Sequence, residues 1–173
     1  MVKTILALII GSLLLFLAAM PGNHSEAEDA FEYSRLVEEG QGAAQFHPHH
    51  LLYIPTLKMV FNSMEALGYE GRSYPVVRAV SMVGGSAVLC LFFLVASRLQ
   101  LLAGNKTGWR VPMVGTLGVL FSYGFLRYAC EAEIYVPAMA LALVPVCVSL
   151  RENASWRWFA TGVFFAAFAL LMH

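Results

Sequence analysis

Three stretches of this chain carry residue types that could do chemistry: "EDAFEYSRLVEEG" at 28–40, "FHPHH" at 46–50 and "RYACEAEIYVP" at 127–137. The first is an acid cluster. A carboxylate held ionised at a surface can accept a proton from a hydroxyl, so each acid is a candidate general base. Glu28 fits a capping box with Ser25, three residues earlier. Glu32, Arg35 and Glu39 recur at helical spacing as an ion-paired face. Asp29 fits neither account, and it lies near the positive end of a helix, which favours its ionised form. The alternative is that the whole cluster is a solvated acidic helix. In the second stretch, His47 and His50 stand at i, i+3, with Pro48 and His49 between them. These imidazoles could ligate a metal with Asp29 or Glu32, bind a phosphate or a sugar hydroxyl, or simply be polar residues at an interface. In the third stretch, Arg127 and Glu131 could pair across a short turn, or Arg127 and Glu133 could face a cavity. Tyr33, Tyr128 and Tyr135 add aromatic surface suited to a sugar or a lipid headgroup.

The elements that must position these residues are apolar. The chain has 173 residues, 59% hydrophobic and 13% charged, well below the charged fraction of a soluble domain. Its net charge is zero, so nothing in the overall balance points to nucleic acid. Five runs read as membrane spans: 4–20, 75–97, 111–126, 134–150 and 156–172. A lipid environment leaves no water for backbone polar groups, so these runs are expected to be helices. The first run also resembles a secretory signal, but 17 uncharged residues favour an uncleaved helix. Six of the eleven basic residues fall in the short segments 1–3, 98–110 and 151–157, which places the N-terminus in the cytoplasm. Ten of the eleven acids then face outward, and the 21–74 loop lies on the outer face.

Within that loop, one helix is expected over 26–39, with Ala27, Ala30, Phe31, Ser34 and Val37 on its apolar face and Gly40 and Gly42 ending it. A second amphipathic helix runs to about Leu67, marked by Leu57, Val60, Phe61, Met64 and Leu67. Pro48 suits its start, Pro55 a kink or restart, and Gly68 its stop. Gly84, Gly85, Ser86 and Ala87, with Gly115 and Gly118, are expected to allow close helix approach. Pro137 and Pro145 suggest local unwinding of the fourth span. Cys90, Cys130 and Cys147 have no metal or disulfide spacing. The expected fold is therefore all-α: a polytopic transmembrane bundle of about five spans, one membrane domain over 1–173, with one or two amphipathic helices on its outer face. An odd set of spans ending at His173 reads as the N-terminal portion of a longer chain.

The order of these features, carried by "EDAFEY" (28–33), "FHPHHLLY" (46–53) and "EAEIYVPAMAL" (131–141), resembles the GT-C superfamily of membrane glycosyltransferases, of the protein-mannosyltransferase-like kind. That resemblance implies sugar transfer from a polyprenyl-phosphate carrier to a lipid, glycan or protein acceptor on the outer face. It implies Asp29 as the catalytic base with Glu28 and Glu32 beside it. His47, Glu133 and Arg127 would stand at the same cavity, Arg127 as a phosphate partner by charge. His49, His50 and Tyr135 flank these motif positions and complete the candidate substrate-binding set. The family's acidic pair stands here in reversed order, as Glu28–Asp29. No cofactor is required by this reading, and the histidines leave room for a divalent metal. The competing expectation is a non-catalytic membrane transporter or assembly subunit whose His/acid outer loop binds a metal.

Overall fold

The structure, a computed structural model, describes residues 2–19, 28–46, 50–105, 108–151 and 155–172. The fold is all-α. Its helices are α1 (Val2–Ala18), α2 (Glu28–Glu39), α3 (Tyr53–Ala66), α4 (Ser73–Leu102), α5 (Arg110–Leu120), α6 (Tyr123–Cys130), α7 (Tyr135–Ser149) and α8 (Trp156–Met172), with a short 3-10 turn at Gly42–Gln45. Of these, α4 alone is long and apolar enough to cross a bilayer. The pair α5 and α6 also qualifies if taken as one bent span, and α1, α7 and α8 are apolar but shorter.

The helix α4 is the axis of the bundle, packed by α7, α5, α1 and α6, while α8 packs on α7. Its small residues explain how closely these neighbours approach. A β-carbon on Gly84 would lie 3.1 Å from the Pro137 backbone, and one on Gly85 would lie 2.9 Å from both Ala129 and Phe16. Ser86 and Ser12 tie α4 to α1 through a buried hydroxyl pair at 2.8 Å. Gly118, by contrast, faces open space.

Three elements depart from the sequence expectation. The third apolar run is not one straight helix: it breaks after Leu120 and turns by 67° into α6, which continues to Cys130. Ser122 at the break has an extended backbone, and its hydroxyl donates to the Val119 carbonyl at 2.8 Å, satisfying the end of α5. The fourth run does not unwind. Pro137 sits in the first turn of α7, where no intrahelical donor is needed, and Pro145 lies inside a helix that continues to Ser149. Finally, Phe31 is not part of the buried face of α2. It is 49% exposed and stacks on Tyr74 at 5.2 Å, whereas Tyr33 joins Ala30, Ser34 and Val37 inside. Ser25 and Ala27 lie outside the described residues, as does Pro48.

The outer layer is fixed by one buried cluster. Ala30, Tyr33 and Val37 of α2, Tyr53, Ile54, Leu57 and Phe61 of α3, and Val76 and Val77 of α4 pack together with Ala132 and Ile134. Pro55 falls in the first turn of α3, and the apolar stripe holds as far as Phe61. Leu67, beyond the end of that cluster, is 84% exposed. Gly68 ends the helix in a left-handed conformation with φ +94°. Glu38 locks α2 to α4: one carboxylate oxygen accepts from the Ser73 amide at 2.8 Å, capping α4, and the other accepts from Arg72 at 2.8 Å. The Ser73 amide holds the Glu38 carboxyl below its usual range, with Arg72 adding to the effect.

Candidate functional site

The outer layer brings the acid cluster of α2 to the turn between α6 and α7. Asp29 stands exposed on the first turn of α2, and its charge reaches both Tyr33, one turn along, and Glu133, 104 residues away in the chain. Glu133 is 6% exposed, and its segment is gripped by α4. The Ser81 hydroxyl accepts from the Glu133 amide at 3.1 Å and donates to the Glu133 carbonyl at 2.9 Å. Burial, with the negative charges of Asp29 and Glu131, pushes the Glu133 carboxyl up to about 7, against the opposing pull of Arg127. The result is an exposed acid within electrostatic range of a buried one that is partly protonated at neutral pH.

Arg127 pairs with Glu131 on the next turn, its Nε 3.3 Å and 3.4 Å from the two carboxylate oxygens. Its guanidinium also lies 5.9 Å from the centre of the Tyr128 ring. Tyr128 in turn meets Tyr135 at 5.0 Å. On the α2 side, Tyr33 makes edge contacts with Tyr53 at 5.1 Å and with His50 at 6.0 Å. Burial and the nearby acids raise the phenols of both Tyr33 and Tyr53. The Tyr53 side chain is fully buried, and among the described residues no hydrogen bond to its hydroxyl is formed. The Ser81 hydroxyl, which acts on the Tyr53 phenol, is itself engaged by both the amide and the carbonyl of Glu133.

Tyr135 has a second role in the geometry. It lines the end of an apolar cavity of about 600 Å³ between α7 and α8, whose walls include Ala138, Met139, Ala142 and Leu170. The polar cluster and the apolar cavity therefore share a residue.

Of the residues singled out in the sequence, Asp29, His50, Arg127, Glu133 and Tyr135 come together. Glu32 does not join them: it pairs with Arg35 at 2.7 Å on the exposed face of α2. His47 and His49 lie outside the described residues, as does the side chain of Glu28. Among the described residues, no group of three or more His, Cys, Asp or Glu could hold a metal ion. Sequence reasoning missed Tyr53, Ser81 and Arg78. A signal existed for Arg78, since an ionisable residue four positions into the apolar run 75–97 is costly without a purpose. Tyr53 and Ser81 are ordinary residues on helices and carried no such mark. Comparison of the chain with family models, curated proteins and solved structures found no match.

Proposed function

We propose that this chain is the membrane portion of a GT-C-like glycosyltransferase that takes a sugar from a polyprenyl-phosphate carrier on the outer face of the membrane. The observation that carries this reading is Tyr135, which lines an apolar cavity and stacks with Tyr128 beside Arg127, in a cluster where the charges of Asp29 and Arg127 both act on Glu133. A lipid-linked sugar needs such a junction, with a polar place for the reacting phosphate and sugar and an apolar one for the tail. In this reading Asp29 takes the acceptor proton, Tyr128 and Tyr135 offer ring faces to the sugar, and the buried Tyr33 supports the site from behind. The acceptor is a lipid, glycan or protein hydroxyl arriving from the solvent side.

The membrane setting is part of the same proposal. Val2, Leu6, Ile10, Leu14 and Leu17 form an exposed apolar face along α1, and Phe159, Val163 and Leu170 do the same on α8. Contiguous apolar surface of this kind is unfavourable in water and natural in lipid. Five spans result if α1, α4, the bent α5–α6 pair, α7 and α8 each cross, with the N-terminus cytoplasmic and the 21–74 loop outside. The 17 residues of α1 extend roughly 26 Å, close to the thickness of the hydrocarbon core.

The test is sugar transfer in membranes containing the chain, supplied with a radiolabelled polyprenyl-phosphate-sugar or with a nucleotide-sugar. The proposal expects label transferred from the lipid-linked donor directly. Transfer from neither donor, or only from the nucleotide-sugar, would sink it.

A further inference from the structure

The most unusual side chain in the molecule is Arg78. It sits in the second turn of α4, is 7% exposed, and among the described residues makes one hydrogen bond, from its Nε to the Cys130 carbonyl at 2.6 Å. Cys130 is the last residue of α6, so this bond satisfies a terminal carbonyl and sets a cation at the negative end of that helix. That accounts for one N–H of five. Among the described residues, no carboxylate, carbonyl or hydroxyl accepts from either terminal nitrogen of Arg78.

A guanidinium does not give up its proton in a protein, so Arg78 is a buried positive charge. Such a charge is costly unless an anion and further hydrogen bonds compensate it. The other cations of the outer half already have acceptors. Arg35 holds Glu32, Arg72 holds Glu38, Arg127 holds Glu131, and Lys58 donates to the Gly40 carbonyl. Glu131 adjoins Cys130 in the chain, but its carboxylate is turned to Arg127. Arg78 is also well placed. Ser81, three residues on and so on the same face of α4, is the residue that grips the Glu133 backbone.

We propose that Arg78 is the anion anchor of the site and that its two terminal nitrogens receive the phosphate of a lipid-linked ligand. Two parallel N–H groups match two oxygens of a phosphate, and this fork geometry is specific to arginine. The assignment moves the phosphate from Arg127, whose charge is met by Glu131, to a residue with no counter-ion among the described residues. It rests on the lipid-linked donor reading above, but it concerns binding and can fail or stand separately.

The test is equilibrium binding to the chain in lipid nanodiscs, with a short-chain polyprenyl phosphate and the matching polyprenol that lacks the phosphate. The wild type should prefer the phosphate by tenfold or more. Arg78→Gln should abolish that preference and leave polyprenol affinity within twofold, while Arg157→Gln, a charge-matched change at the other end of the bundle, should keep it. Arg78→Lys retains charge without the fork and should lose several-fold of the preference; it carries the test if the glutamine variant does not fold. The inference is overturned by an absent preference in the wild type, by a preference unaltered in Arg78→Lys and Arg78→Gln, or by one that depends on Arg127 instead. Phosphate preference through Arg78 without any sugar transfer would leave the anchor standing and remove the transferase. Transfer with an Arg78-independent preference would do the reverse.

Discussion

Replacing Glu133 by Gln should change how stability depends on pH, in a direction the structure fixes. Glu133 is buried within reach of the negative charges of Asp29 and Glu131, and its carboxyl is pushed up to about 7 from its ordinary value of 4.5. Between those two values the folded chain holds a proton that the unfolded chain has released, so stability falls as pH rises through that window. Below it the contribution is fully present, and above it the ionised, buried carboxylate is a net burden. At roughly 1.4 kcal/mol per pH unit the whole effect is on the order of 3–4 kcal/mol. Glutamine mimics the neutral acid and does not titrate. Glu133→Gln should therefore match the wild type near pH 4.5 and exceed it in stability at pH 8 by up to that amount. Glu38, whose carboxyl is held low, titrates below this window, and the histidines are common to both proteins, so the difference isolates Glu133. Denaturant unfolding in detergent micelles at a series of pH values measures it directly. Parallel pH profiles for the two proteins would refute the burial argument, as would a carboxyl NMR titration of Glu133 near its usual value.

Other expectations follow from packing and hydrogen bonding. Gly85→Leu places side-chain atoms against Ala129 and Phe16, and overpacking there should cost about 1–3 kcal/mol in thermal unfolding. Tyr53→Phe removes a buried hydroxyl that has no partner among the described residues, so stability should be unchanged or rise by about 1 kcal/mol; a clear loss would reveal an acceptor for that hydroxyl. Glu38→Gln weakens the cap on α4 and the tie to Arg72, which should cost about 1–2 kcal/mol and speed proteolysis in the 40–50 segment.

The sequence made the helices legible because hydropathy and spacing encode them directly. The runs around α1, α4, α7 and α8 and the amphipathic stripe of α3 could each be read within a few residues. What could not be read was geometry set between elements. The bend after Leu120 leaves the hydropathy of the run unchanged, so the third span looked continuous. Phe31 and Tyr33 stand on opposite flanks of the Ala30–Ser34–Val37 line of α2, and packing against α3, with Tyr53 in edge contact, buries Tyr33. That the charge of Asp29 reaches Glu133 depends on Ser81 holding the Glu133 backbone and on Glu38 holding α2 over the start of α4, and neither contact is written in the spacing of the sequence. The pairing of Arg127 with Glu131 was open in the sequence and is formed in the structure.

The central claim concerns Asp29, and one rate comparison tests it most directly. Sugar transfer from a radiolabelled polyprenyl-phosphate-sugar should be measured in membranes carrying either the wild type or Asp29→Asn at equal levels of inserted protein. Asparagine keeps the shape of the side chain and removes the proton acceptor, so the rate should fall by about 100-fold or more. An unchanged rate in the variant would contradict the assignment of Asp29 as the base.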